Sequence, residues 1–306
     1  MDITGHTVWV TGGAGFIGGA VRRALHAAGA AVLNWPRSQL DLTDEQATVE
    51  AISQADTPVH IVHCAGCVGG RAWLRANDAM IERETDAMTD ALLAVMQRCD
   101  VQRVLVLGST SSYAPAASVP FKESDWSDGA PADDIAGYVR SKRRSVHALT
   151  SQAHAPCAAV LPCNIYGPGQ RMAPDRSNVV GALVCKFVDA ARNGDTTVEC
   201  WGANASREFL HVDDCATGIV DALCTLEHGE VVNIGSGVAT PIRSLTQQVA
   251  TAAGYDGHMQ WADEDAPIDA LYTSAEHARA TLQWRPRIAL EQGLAQCVAW
   301  HGAQQA

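Results

Sequence analysis

A strand that runs straight into a glycine-punctuated loop and on into a helix constrains this chain more than any other feature. Thr7-Val-Trp-Val10 is an apolar β run, Thr11-Gly-Gly-Ala-Gly-Phe-Ile-Gly18 is the loop, and Ile17, Ala20, Val21, Ala24, Leu25 and Ala28 then recur at helical spacing until Gly29. Gly12 permits the tight turn, Gly15 lets a diphosphate approach the backbone, and Gly18 lets the helix lie close on the sheet. The helix N-terminus contributes unpaired N–H groups and the positive end of a dipole. Glycines alone are weak signals, but strand, loop and helix in this order predict a dinucleotide site. Ala30-Ala-Val-Leu33 reads as the second strand and completes a β-α-β unit.

The alternation continues. A third strand around Leu40 and a helix from Asp44 to Ala55 are expected, then buried strands at Val59-His-Ile-Val-His63 and Val101–Leu107. A long helix from Trp73 to Arg98 separates those two strands, and a second helix covers Tyr138 to Ser151. Residues 114–136, rich in Pro, Ser, Asp and Gly, read as a polar loop able to cover a site. Strands alternating with helices imply a parallel sheet, hence an α/β, Rossmann-type doubly wound fold. After Val160-Leu-Pro-Cys-Asn-Ile-Tyr-Gly-Pro-Gly169 the pattern changes: a helix over Val179–Arg192 closed by Gly194, a short strand at Glu208–Val212, a helix over Asp213–Leu226, and a late strand, Val231-Val-Asn-Ile234, with a turn at Gly235-Ser-Gly237. The expected division is a dinucleotide domain at 1–165, rejoined by about 207–237, and a smaller, discontinuous C-terminal substrate-binding lobe within 166–306.

Composition removes several classes of function. Across 306 residues, 22 basic against 34 acidic side chains leave a net charge of −12, which argues against a nucleic-acid surface but leaves room for a local cationic pocket. No apolar run approaches the ~18 residues a membrane span needs. Met1-Asp-Ile-Thr leads almost directly into the first strand, with no basic and apolar leader, so a cytoplasmic location is expected. Ten scattered cysteines read as reduced core residues; Cys64-Ala-Gly-Cys67 has redox spacing but lacks a thioredoxin-like context or a second pair for zinc. His60, His63 and His211 have no carboxylate spacing beside them that would complete a metal site, so no metal is expected.

The chemistry points to carbonyl reduction. Tyr138 and Lys142 stand at i and i+4, on one face of a helix, and the strand ending at Leu107 leads into the hydroxyl-rich Gly-Ser-Thr-Ser-Ser-Tyr113. Ligands of parallel sheets gather at the carboxyl ends of the strands, where Ser109 and Tyr138 could meet. Hydride transfer to a ketone builds alkoxide character on oxygen. Ser109 can polarise that carbonyl while Tyr138 delivers the proton. At the end of the second strand, Leu33-Asn-Trp-Pro-Arg-Ser38 offers no carboxylate for a ribose 2′-OH and supplies Arg37, which favours a 2′-phosphate. NADPH is therefore expected, with NAD as the alternative.

Glycines spaced three apart together with Ser109, Tyr138 and Lys142 resemble the extended branch of the short-chain dehydrogenase/reductases. Within that branch His63-Cys-Ala-Gly-Cys-Val-Gly-Gly70, Val106-Leu-Gly-Ser109, Leu161-Pro-Cys-Asn-Ile-Tyr-Gly-Pro168 and Arg207-Glu-Phe-Leu-His-Val-Asp-Asp214 resemble the GDP-L-fucose synthase family over nearly the whole chain. The resemblance implies that Phe16, Ile17, Asp41, Leu42, Ala65 and Gly66 join the glycines around the cofactor, that Lys142 lowers the tyrosine pKa and binds the nicotinamide ribose, and that Ser111, Asn164, Asn178, Lys186, Trp201 and Arg207 face a sugar nucleotide. It also implies a homodimer across the Trp73–Arg98 and Tyr138 helices. Where the family carries a cysteine and a histidine that move protons beside the ketone, this chain has Ser111 and Asn178, neither of which titrates near neutral pH. Where it carries a basic segment, this chain has Asp263-Glu-Asp-Ala-Pro-Ile-Asp-Ala270. The expectation is NADPH-dependent reduction of a 4-keto-6-deoxy sugar nucleotide, GDP-linked first, without epimerisation at C3 or C5. A nucleotide-sugar 4-epimerase retaining NAD is the alternative, followed by a non-catalytic nucleotide-sensing protein.

Overall fold

The computed structural model describes residues 1–55, 58–173, 177–262 and 269–305. The chain opens with β1 (Thr7–Thr11), α1 (Phe16–Ala27), β2 (Ala31–Leu33), α2 (Glu45–Ser53) and β3 (Val59–His63). It continues through α3 (Arg71–Ala76), α4 (Asp78–Arg98), β4 (Val101–Leu107), α5 (Ala136–Thr150) and β5 (Cys157–Pro162). Next come β6 (Asn164–Tyr166), α6 (Val179–Asn193), β7 (Thr197–Cys200), β8 (Ala205–Arg207), β9 (Phe209–His211), α7 (Val212–Thr225) and β10 (Val231–Ile234). The remainder comprises β11 (Thr240–Pro241), α8 (Ile242–Ala252), β12 (His258–Trp261), β13 (Asp269–Leu271), α9 (Glu276–Leu282) and α10 (Leu290–Gln305).

Six strands form one parallel sheet in the order β10-β5-β4-β3-β1-β2. Its strands read as apolar runs because both faces are covered. Val8 and Val10 of β1 pack with Val21 and Leu25 of α1 and Ile219 and Leu223 of α7, whereas Trp9 points to the opposite layer with Ile61, Leu92, Val95, Val146 and Leu149. A third cluster, built from Val184 and Phe187 of α6, Leu245 and Val249 of α8, and Leu294 of α10, forms a separate core. Around it lie the short sheets β11-β8-β13, β12-β7 and β6-β9. After β5 the chain therefore builds this second core, yet returns α7 to the face of α1 and β10 to the edge of the main sheet.

Two elements differ from the sequence expectation. No strand forms around Leu40: turn bonds from Gln39 N (2.8 Å) and Leu40 N (3.1 Å) to Pro36 O curl the chain, and Asp41 Oδ1 accepts from Thr43 N (3.0 Å) and Thr43 Oγ1 (2.8 Å). Leu40 and Leu42 still cover the Trp9 layer, which explains their apolar character without a strand. The helix expected from Trp73 to Arg98 is broken at Asn77, whose backbone leaves the helical region (φ −122°, ψ 16°) and whose side-chain amide donates back to Trp73 O at 2.9 Å.

Candidate active site

The carboxyl ends of β1, β3 and β4 lie side by side, with Thr11 in register with His63 and His63 with Val106. The loops that follow them converge there. Gly12 (φ +62°) passes so close to the β3–α3 loop that a Cβ would lie 2.8 Å from Ala65 N and Cα, and Thr11 Oγ1 accepts from Ala65 N at 3.2 Å. Thr11 Oγ1 also meets His63 Nδ1 at 2.8 Å. His63 is buried, which lowers its pKa to about 3, with the Lys142 charge acting in the same direction, so it stays neutral and structural. Gly66 faces Lys142 Nζ, which would lie 3.2 Å from an added Cβ, and the ammonium donates to Leu107 O at 3.1 Å. Gly12, Ala65, Gly66 and Lys142 thus form one continuous wall.

Tyr138 stands on α5 beside that wall. Its N-terminus is capped by a group no local pattern could show: Asp78, the first residue of α4, accepts from Gly137 N (2.7 Å) and Tyr138 N (3.0 Å). The phenol is buried beside the Ser109 hydroxyl; burial raises its pKa and the serine hydroxyl draws it back. Ser109 is itself aimed by a turn, because its Oγ accepts from Ser111 N at 3.1 Å. The Ser109 hydroxyl is the group that draws the phenol pKa down. Burial, acting first, lowers the pKa of Lys142 from its ordinary 10.5 to about 8.

The glycine loop fits a dinucleotide. Helix α1 begins at Gly15 with no side-chain cap and no acidic residue in its first turn, leaving its N–H groups and dipole for an anion. A Cβ on Gly18 would strike Gly12 O, with Gly13 Cα at 2.9 Å, so the close helix–loop packing needs glycine there. Phe16 and Ile17, both half-buried, anchor the first turn to the α1–α7 layer. Arg37 stands in the loop after β2, but its guanidinium is 3.3 Å from both Asp41 and Glu84. Asp41 therefore serves the Thr43 turn and Arg37 at once, and Leu42 packs inward.

The expected substrate residues divide into two sorts. Lys186 lies 4.0 Å over the ring of Trp201, donates to Glu199 O at 2.6 Å, and leaves the tryptophan 56% exposed, so indole and ammonium present a cationic aromatic surface. Arg207 ends β8, with Nη1 donating to Ser206 O at 2.8 Å, and Asn164 starts β6, with its amide donating to Glu208 O at 2.8 Å. Ser111 is exposed beside Ser109. Asn178 has a different duty from the one expected. It is the N-cap of α6, accepting from Gly181 N at 3.1 Å and donating to Ile165 O at 2.7 Å, so its amide is engaged within the protein. Asp263, Glu264 and Asp265 lie outside the described residues, as does the side chain of Asp269.

Cys64 and Cys67 form no disulfide, Cys67 Sγ donating to Glu84 Oε2 at 3.3 Å, and their thiols are pushed up to about 12 and about 11, in each case mainly by burial. Neither is a thiolate at neutral pH. Among the described residues no group of three or more His, Cys, Asp or Glu side chains could hold a metal ion, and no helix is long and apolar enough to cross a membrane.

A parallel sheet with a glycine loop at its first crossover and a Ser/Tyr/Lys set at the neighbouring strand ends defines an extended short-chain dehydrogenase/reductase, an NAD(P)-dependent oxidoreductase. The sequence profile of the NAD dependent epimerase/dehydratase family matches residues 8–235, and the chain belongs to that family. It is 31% identical over 307 residues to GDP-L-fucose synthase 1 of Arabidopsis thaliana, covering 96% of this chain and 92% of the relative. A GDP-6-OMe-4-keto-L-xylo-heptose reductase from C. jejuni superposes with a TM-score of 0.87 at 19% identity, over 98% of both chains. A GDP-mannoheptose C4 reductase from Campylobacter jejuni with NADP bound gives 0.84 at 19% identity, over 99% of each chain.

Proposed function

We propose that the protein uses NADPH to reduce the keto group of a 4-keto-6-deoxy sugar nucleotide, GDP-linked first, to an alcohol, without epimerising C3 or C5. The observation that carries this is the buried Tyr138 phenol beside the Ser109 hydroxyl, with Lys142 on the same helix donating to the end of β4. The names of the relatives favour a GDP sugar and a reductive step at a ketone.

The nicotinamide, when bound, supplies the hydride that reaches the carbonyl carbon. Ser109 donates a hydrogen bond to the carbonyl oxygen, and Tyr138, protonated at neutral pH because burial raises its pKa, gives that oxygen its proton. Gly12, Gly15, Phe16, Ile17 and Gly18 would hold the diphosphate and its riboses together with Ala65, Gly66 and Lys142, while Leu42 and Asp41 would lie towards the adenine. Lys186, Arg207 and Asn164 would bind the sugar nucleotide, with Trp201 stacking on its base. Residues 1–165 with 207–237 would carry the cofactor, and the rest of 166–306 the substrate. A homodimer through α4 and α5 and a cytoplasmic location belong to the same reading.

The test is incubation with NADPH and GDP-4-keto-6-deoxymannose, followed by nicotinamide absorbance and product NMR. Oxidation of NADPH with a single 4-hydroxy product of unchanged C3 and C5 configuration is expected. Stoichiometric NAD on the protein as isolated, with no net oxidation of NADPH, would replace the reductase by a 4-epimerase.

A further inference from the structure

We infer that Arg22, reaching from the first helix over Gly13 to face Asn34, receives the 2′-phosphate of NADPH and sets the preference for it over NADH. This rests on the NADPH reading above but assigns the discrimination to a residue other than Arg37. Three arginines lie near the end of β2 and the glycine loop, and the structure ranks them by charge. Arg37 faces two carboxylates, Asp41 and Glu84, each at 3.3 Å, so a phosphate placed on it would also meet their negative charge. Arg23 is held by Asp213 at 2.9 Å. Among the described residues Arg22 has no carboxylate within ion-pair distance; its Nη1 donates to Gly13 O at 3.2 Å, and its Nε is buried without an acceptor.

Asn34 answers it from the other side. It directly follows β2, where a carboxylate would select the ribose diol of NAD, and an amide there repels no phosphate. Its Oδ1 is likewise buried without a hydrogen-bond partner. Both side chains press on the same glycine: a Cβ on Gly13 would meet Arg22 Cδ at 2.7 Å and the Asn34 amide. Beside them, Gly13, Ala14, Arg22 and His26 help to line an open depression of about 390 Å³. A buried donor and a buried acceptor left without partners cost free energy that a bound group can offset. A ribose 2′-phosphate in that depression can accept from the Arg22 guanidinium, and either it or the ribose can engage the Asn34 amide, whose oxygen and nitrogen exchange by a simple flip.

Calorimetric titration of the full chain with NADPH, NADH, 2′,5′-ADP and 5′-AMP tests this without turnover. Wild type should bind 2′,5′-ADP more tightly than 5′-AMP. Arg22→Gln should weaken 2′,5′-ADP and NADPH by ~10- to 100-fold, the worth of one charge-assisted hydrogen-bond set, and change 5′-AMP and NADH by less than ~3-fold. Arg37→Gln should retain the discrimination, and Arg22→Lys should recover part of it, since a point charge still attracts phosphate but loses the fork that also holds Gly13 O. Equal losses on all four ligands would make Arg22 a brace of the loop and overturn the inference. So would discrimination that survives Arg22→Gln and disappears in Arg37→Gln. A wild type that does not discriminate would remove the NADPH reading first, and this inference with it.

Discussion

Alkaline titration of Lys142 should uncouple activity from stability. Burial brings its ammonium from the ordinary 10.5 to about 8, and the groups around it leave that range clear. His63 is neutral above about 3, the Cys64 and Cys67 thiols are pushed up to about 12 and 11, and burial raises Tyr138 above its ordinary 10. Between pH 7 and pH 9 Lys142 therefore falls from roughly nine-tenths to roughly one-tenth charged. If the ammonium holds the nicotinamide ribose, kcat/KM for NADPH, which reports the free enzyme, falls with an apparent pKa near 8 and then about tenfold per pH unit. Stability moves the other way. The unfolded chain binds this proton more tightly than the folded one, so the Lys142 contribution to stability grows as pH rises from about 8 to 10.5 and is absent below about 8, while the raised thiols act in the opposite sense and cancel between wild type and a Lys142 variant. That span corresponds to about 3 kcal/mol at ~1.4 kcal/mol per tenfold change in proton affinity. Urea midpoints of wild type and Lys142→Met across this range should differ by such a slope, while Lys142→Arg, charged throughout, should push the kinetic limb to higher pH. A kcat/KM that stays flat to pH 9.5, or an equal slope of stability in Lys142→Met, refutes the reasoning.

Two further outcomes follow from α5. Tyr138→Phe should lower the single-turnover rate by ~10²- to 10⁴-fold and leave the NADPH dissociation constant within ~3-fold, because the ring remains and only the proton donor is lost; unchanged turnover would remove the assignment of the acid. Asp78→Ala deprives Gly137 N and Tyr138 N of their acceptors and should cost ~1–2 kcal/mol in urea unfolding. It should also lower kcat more than it raises KM for the sugar nucleotide, with Asp78→Asn recovering part of both; an unchanged kcat would confine Asp78 to stability.

What could be read along the chain was whatever depends on near neighbours in sequence. The glycine loop, the apolar strands Val59–His63 and Val101–Leu107, and the helix closed at Gly194 each carry their cause within a few residues. Leu40 misled because an apolar side chain needed to cover Trp9 looks the same in a strand or in a turn, and the bonds to Pro36 O decide between them. The break at Asn77 was hidden because helical periodicity passes through a residue that bonds back to Trp73 O. Asp78 lies 59 residues before Gly137, and no spacing rule links an acid at one helix start to the cap of another. Arg37 was visible as a cation after the second strand, but its neutralisation by Glu84, 47 residues away, was not.

Asn178 accepts from Gly181 N and donates to Ile165 O, the two bonds that start α6 and tie it to β6. An amide can do both because it carries a donor and an acceptor, and because it does not titrate near neutral pH it exchanges no proton with a sugar carbon. Ser111 is drawn into a comparable local task, its backbone N–H fixing the Ser109 hydroxyl. Neither side chain at the two positions from which epimerisation would require acid–base chemistry titrates near neutral pH. At the strand ends Tyr138 is the group placed to give a ketone oxygen its proton, and one such donor beside one hydride source is enough for reduction of a ketone.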